Sequence, residues 1–267
     1  MDGMLTLSLK EPPSVPVEAE VISPDVVASL SHADVRALPV MLGKRQLRLD
    51  DVFDIEGDGG NAIELRGDCS KVKWVGRGMT RGSIRVVGNA GMHLGSYMTG
   101  GTIDVTGNAT DWVGGEMSGG RIRIGGNAGG QLGCAYRGST SGMSGGEILV
   151  EGSAGIEVGM RMKRGLIAIR GPVRDFAGLQ MKGGTIVLMS GAELRTGAWM
   201  SRGTIISMKP VKTLPTFAFA CTHTPSFLGI YAKHLGPLGF ELPLTGTYRR
   251  FTGDAAVPGK GELLVWE

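Results

Sequence analysis

Four histidines, three cysteines and several acid pairs are the residues of this chain whose types could support catalysis. His32, His93, His223 and His234 are scattered, with no H-x-H or H-E-x-x-H pair that would set two imidazoles on one metal. His93 and His223 are the two candidates for a general base. Asp111 and Glu116 fall five residues apart, close enough to suggest paired carboxylates, but their setting reads as a solvated loop. Cys69, Cys134 and Cys221 form no C-x-x-C pair, so they suit reduced thiols rather than a disulfide framework or metal site. No G-x-x-x-x-G-K-[ST] occurs, and each G-x-G falls at a corner rather than after a Rossmann strand. No catalytic residue and no metal ligand is assigned on these grounds. A basic series is more distinctive. Lys163, Arg164, Lys182 and Arg202, with Arg161 nearby, fall at the two positions after a motif Met and predict a ridge for a polyanion or an acidic partner. The plainer alternative is a charged edge that discourages aggregation.

The elements that must carry these residues follow from the repeat. Glycine makes up 46 of 267 residues, well above the usual ~7%. Strand starts fall at Ile63, Ile84, Ile103, Ile122, Ile148, Ile167, Ile186 and Ile205, and the step is 19 residues in five of the seven intervals. Each start from Ile84 to Ile186 reads Ile-x-Val/Ile/Leu, the alternation of a half-buried strand. Eleven residues after a strand start stands Gly-x-x-Met-x-x-Gly, as in Gly95/Met98/Gly101 and Gly178/Met181/Gly184. Methionine at that phase predicts an internal ladder of adaptable filler. Gly-Asn-Ala at 88–90, 107–109 and 126–128 predicts a corner with stacked side-chain amides. A period of 19 is too short for a propeller blade and too rich in glycine for a helical repeat. The expected fold is a single right-handed parallel β-helix of 19-residue repeats, with mixed α/β caps at both ends.

The expected organisation is an N-terminal cap with first strands over 1–62, repeats over 63–206 and a C-terminal cap over 207–267. Between Ile122 and Ile148 the step is 26, which places an inserted loop at 135–142. Ser23-Pro24-Asp25 and Ser31-x-x-Asp34 predict two short capped helices. Leu47, Leu49 and Val52 are expected to begin the coil. In the last segment, 226–235 reads as a helix, and 248–254 with 262–266 as two strands. A formal charge of +3 gives no case for nucleic acid. With no apolar run long enough for a membrane, a cytoplasmic, soluble protein is expected.

Tandem Gly-x-x-Met-x-x-Gly coils of this period resemble the C subunit of formylmethanofuran dehydrogenase, and the C-terminal domain of the glutamate synthase large subunit. The strand Leu5-Thr6-Leu7-Ser8-Leu9 and the closing Tyr248-Arg249-Arg250-Phe251-Thr252-Gly253-Asp254 extend the likeness to both ends. The proline- and alanine-rich ends are most similar to the bacterial version, a formyltransferase/hydrolase complex of one-carbon metabolism. The resemblance implies a scaffold subunit without catalysis of its own. Its implied partners are an amidohydrolase-like subunit, a formyltransferase subunit and a molybdopterin-enzyme-like subunit. The complex is implied to transfer formyl from tetrahydromethanopterin to methylofuran and then hydrolyse formylmethylofuran to formate. The glutamyl tail of methylofuran is then one candidate ligand for Lys163, Arg164, Lys182 and Arg202. Three other readings stay open: the C subunit of a molybdenum or tungsten formylmethanofuran dehydrogenase, a standalone acyltransferase, or a glutamate synthase-like structural module. Hexapeptide-repeat acyltransferases are also coils, but their period is near 18 and their corners are Ile-led.

Overall fold

The structure, a computed structural model, describes residues 4–267. It is mostly β, organised around one large and mostly parallel sheet. The elements in chain order are β1 (Met4–Leu9), β2 (Val17–Glu18), α1 (Pro24–Val27), α2 (His32–Arg36), β3 (Pro39–Leu42), β4 (Arg45–Arg48) and α3 (Leu49–Val52). Next come β5 (Phe53–Glu56), β6 (Ala62–Arg66), β7 (Val72–Lys73), β8 (Ser83–Val87), β9 (Thr102–Val105), β10 (Ser118–Ile124) and β11 (Ser144–Val150). The chain ends with β12 (Arg164–Ile169), β13 (Lys182–Leu188), β14 (Arg202–Ser207), β15 (Ala218–His223), α4 (Leu228–Leu235), β16 (Tyr248–Gly253) and β17 (Gly261–Trp266). The sheet order is β15-β16-β17-β14-β13-β12-β11-β10-β9-β8-β6-β1-β5.

The eight predicted strand starts lie side by side. Ile63 pairs with Ile84, then the ladder runs through Ile103, Ile122, Ile148, Ile167, Ile186 and Ile205. Leu5 of β1 and Leu263 of β17 extend it by one rung at each end. All ten side chains are at most 2% exposed, as are the seven motif methionines. The motif glycines sit in the left-handed region, and the reason is steric as well as torsional. A Cβ on Gly95 (φ 63°) would lie 2.5 Å from Ile122 Cδ1, so the corner closes only without a side chain. Successive repeats also bridge at the second corner, Cys69–Ala90–Ala109–Ala128, and through bonds such as Gly114 N to Leu94 O at 2.8 Å.

Two details differ from the sequence reading. The Asn corner is not an amide-on-amide stack: Asn89 Oδ1 accepts from Asn108 N, Asn108 Oδ1 from Asn127 N, and Asn127 Oδ1 from Ser153 N, at 2.8–2.9 Å. Backbone N–H groups freed by the turn outcompete the side-chain amides as donors. Leu47, Leu49 and Val52 do not begin the coil. Leu47 lies in a β3–β4 hairpin of a separate four-stranded sheet, and Leu49–Val52 form α3, because Asp51 accepts from Arg48 N and closes a helical turn.

The C-terminal segment has two jobs. β17 joins the parallel stack and β16 and β15 continue the sheet beyond it in antiparallel fashion. α4 instead turns back over the outer face of the later strands. There Leu228, Leu235 and Phe240 bury themselves against Leu149, Ala168, Val187, Ile206 and Leu264. Each fully buried apolar side chain of that size contributes roughly 1.5–3 kcal/mol. Polar contacts add direction: Tyr231 and Thr185 hydroxyls meet at 2.8 Å, and Arg170 Nη2 donates to Gly239 O at 2.6 Å.

Candidate binding surface around the inserted loop

Two residues before each motif glycine the backbone is left-handed although the residue is not glycine. Trp74, His93, Trp112, Gln131, Glu157, Phe176 and Arg195 all have φ between 54° and 66°. The repeat imposes this conformation at one corner, and it aims the side chains outward in a column. In the first three repeats that column is aromatic. Trp74 and His93 stack with ring centres 4.0 Å apart and planes 9° from parallel, and Trp112 follows at 6.2 Å from His93. The inserted loop supplies the fourth ring. Tyr136 lies on Trp112 at 4.8 Å and 12°, and its hydroxyl meets His93 Nδ1 at 2.9 Å and Ser96 Oγ at 2.7 Å. Gly115 makes room for it, since a Cβ there would come within 2.8 Å of the phenol oxygen. Burial chiefly, with the Lys73 charge second, lowers the His93 pKa to about 4, so the ring is neutral at pH 7. Burial likewise pushes the Tyr136 phenol above its usual range.

From Tyr136 the loop crosses toward the basic residues. Arg161 Nη1 donates to Ser139 O at 2.6 Å and its Nε to Gln180 Oε1 at 2.7 Å, while Lys182 Nζ donates to Thr140 O at 2.5 Å. Between loop and repeats lies a cleft of about 560 Å³ bordered by Ser139, Thr140, Arg161, Gln180, Lys182 and Trp199. Lys163, Arg164, Lys182 and Arg202 are all exposed. A register shift between Lys182 and Thr185 makes Lys182 the strand partner of Arg202, and Arg164 faces Ser144. Among the described residues, none of the four has a carboxylate within 4.0 Å. Their charge therefore faces solvent without internal compensation, and the concave wall beside Lys182 concentrates it.

The acids singled out in the sequence serve the backbone. Asp111 Oδ1 accepts from Gly130 N at 2.6 Å and Glu116 Oε1 from Tyr136 N at 2.8 Å, so they are structural acceptors and not a catalytic pair. His223 lies on β15, far in the sheet order from His93 on the corner between β8 and β9. His32 Nδ1 meets Gly57 O at 2.7 Å, and His234 Nε2 meets Glu147 Oε1 at 2.6 Å, beside Arg121. Cys69 and Cys134 are buried, and desolvation raises both thiols, Cys69 to about 12. Among the described residues no three His, Cys, Asp or Glu side chains are grouped to hold a metal, and no helix is long and apolar enough to cross a membrane. The aromatic stack is not among the sites expected from the sequence. Its signal is the Trp, His, Trp series at one phase of the 19-residue period.

A family model described as GXGXG motif matches residues 64–217. The C subunit of the formyltransferase/hydrolase complex Fhc from Methylorubrum extorquens is 50% identical over 265 residues, covering 98% of this chain and 99% of that protein. The C subunit of the tungsten-containing formylmethanofuran dehydrogenase 2 from Methanothermobacter marburgensis is 38% identical over 97 residues, 34% of this chain and 36% of that protein. Among solved structures, a chain of the formyltransferase/hydrolase complex FhcABCD from Methylorubrum extorquens, crystallised with methylofuran, superposes with a TM-score of 0.90. That match covers 98% of this chain and 99% of the other at 35% identity.

Proposed function

The chain belongs to the family of the C subunit of formyltransferase/hydrolase complexes, and from that premise we propose that it is a non-catalytic scaffold within such a complex. The likeness over 98% of the chain carries this reading. The complex would transfer formyl from formyl-tetrahydromethanopterin to methylofuran and hydrolyse formylmethylofuran to formate. Amidohydrolase-like, formyltransferase and molybdopterin-enzyme-like subunits would supply the chemistry and the other partners.

The geometry supports a supporting role. The interior is filled by the Ile and Met ladders, and Asp111 and Glu116 are engaged in holding the inserted loop and the next repeat. Stacking at three levels of each repeat supports a single parallel β-helix, wound right-handedly as parallel crossovers are. Such a rod holds bound subunits at fixed spacing, with ~4.8 Å per repeat. The exposed cations Lys163, Arg164, Lys182 and Arg202 are the proposed contact for an anionic group, either the glutamyl tail of methylofuran or an acidic partner segment.

Purification of the tagged chain from its host tests the main reading. Recovery of an amidohydrolase and a formyltransferase together with formyl-transfer activity is expected; a lone, fully assembled homomer would overturn it. For the ridge, Lys163→Glu with Lys182→Glu should weaken partner recovery or methylofuran affinity, and unchanged values for both would remove the ridge from the account.

A further inference from the structure

The two edges of the long sheet are guarded differently. β5 closes one side with Asp54 and Glu56 among its four residues, and Asp50, Asp51 and Asp58 stand nearby in sequence. β15 closes the other with no Lys, Arg, Asp, Glu or Pro, and none of the four charged types occurs between Lys212 and Lys233. Its first five residues are exposed, Phe219 by 54%. Among the described residues β15 pairs with β16 alone, so one row of its backbone N–H and C=O groups has no strand partner. A long, uncharged, open edge of this kind templates association with another chain. A register shift between Phe219 and Cys221 is the one irregularity that interrupts it.

The neighbouring side chains state what would suit that edge. Phe219 meets Phe251 edge-on at 5.8 Å, and the Arg249 guanidinium lies 5.5 Å from the Phe219 ring and 5.2 Å from the Phe251 ring. Arg249 pairs with Glu267 at 3.5 Å, yet its side chain remains 48% exposed. We propose that β15 is completed by an extended strand of another subunit, apolar opposite Phe219 and bearing a carboxylate where it passes Arg249. Backbone ladder bonds supply the affinity, and the Phe219–Arg249 face supplies the selection. A second copy of β15 fits less well, because the stretch around it has no carboxylate to offer Arg249. This inference rests on the reading that the chain works inside a multi-subunit complex.

Hydrogen exchange on the intact complex and on the isolated full chain tests it. Amides of residues 218–223 are expected to exchange at least about tenfold more slowly in the complex, equivalent to ~1.4 kcal/mol. Phe219→Lys combined with Thr222→Lys should cut recovery of one partner subunit by a similar factor, whereas Glu56→Lys on the guarded edge should not. Assembly of the full complex with β15 amides unprotected overturns the inference while leaving complex membership intact. Protection of β15 in a homodimer of the isolated chain overturns it in favour of self-pairing. Failure to recover any other subunit overturns the inference and the functional reading together.

Discussion

The two halves of the long sheet repeat the same inner face and contrast on the outer one. At one outward position the early strands present Glu64, Arg85, Asp104 and Arg123, and the later strands present Leu149, Ala168, Val187, Ile206 and Leu264. The apolar half lies beneath α4 and the segment that follows it, and none of the four charged residues belongs to that buried cluster. At the corner the pattern reverses: the early repeats are braced by the Trp74–His93–Trp112–Tyr136 stack, while the same column in the later repeats carries Glu157, Phe176 and Arg195. An identical period thus tolerates quite different decoration, because inner Ile, Met and Gly maintain the repeat and the outer positions are free to choose a neighbour.

This contrast can be broken by mutation, most sharply where α4 docks. Phe240→Ala is expected to cost about 3–5 kcal/mol in urea unfolding, since it empties a fully buried site. Asp104→Ala on the charged half should fall within about 0.5 kcal/mol, because that side chain is exposed. Equal effects would show that the segment following α4 does not stabilise the half it covers. Tyr136→Ala should cost roughly 1–3 kcal/mol, because the ring is only partly enclosed, and should shift Trp112 fluorescence to the red as solvent reaches it.

A smaller effect concerns His93. Its folded pKa of about 4 lies below the ~6.5 of an unfolded histidine. The unfolded chain takes up that proton first, so this contribution to stability is complete above about pH 6.5 and is lost as the pH falls toward about 4. Imidazole NMR should show His93 neutral at pH 6, and Trp74→Ala should raise its pKa by opening the stack. A His93 resonance that titrates near 6.5 in the wild-type chain would remove burial as the cause. The least perturbing test is thiol labelling: Cys221 should react in the folded isolated chain while Cys69 and Cys134 stay protected until unfolding.

Much of the stacked sheet was legible from the chain because its register is written in short-range spacing. Ile103 and Ile122, or Met98 and Met117, occupy equivalent places 19 residues apart, and a periodic sequence is enough to stack them. What lay outside the period was harder to read. The segment 226–235 reads as a helix from its own residues, and Leu228–Leu235 form one, but its resting place depends on Leu149, Val187 and Ile206, which belong to three separate repeats. The change from Glu64, Arg85 and Asp104 to Leu149, Ala168 and Val187 was visible at a single phase and was the missing clue. The cleft escaped notice for a similar reason, since Lys182 meets Thr140 across 42 positions of sequence. The basic residues were recognisable one by one; their relation to the loop was not.

One pairing bears on how the chain is made. Ile205 in β14 meets Leu263 in β17, 58 residues later, and Leu5 waits the same distance for Ile63. At roughly 5–20 residues per second, the open side of β14 stays uncovered for several seconds until the ribosome has made β17. A chain stalled before Gly261 would leave the tunnel with that parallel edge bare. Ribosome pausing between the codons for β14 and those for β17 should accordingly be a sensitive point for chaperone capture.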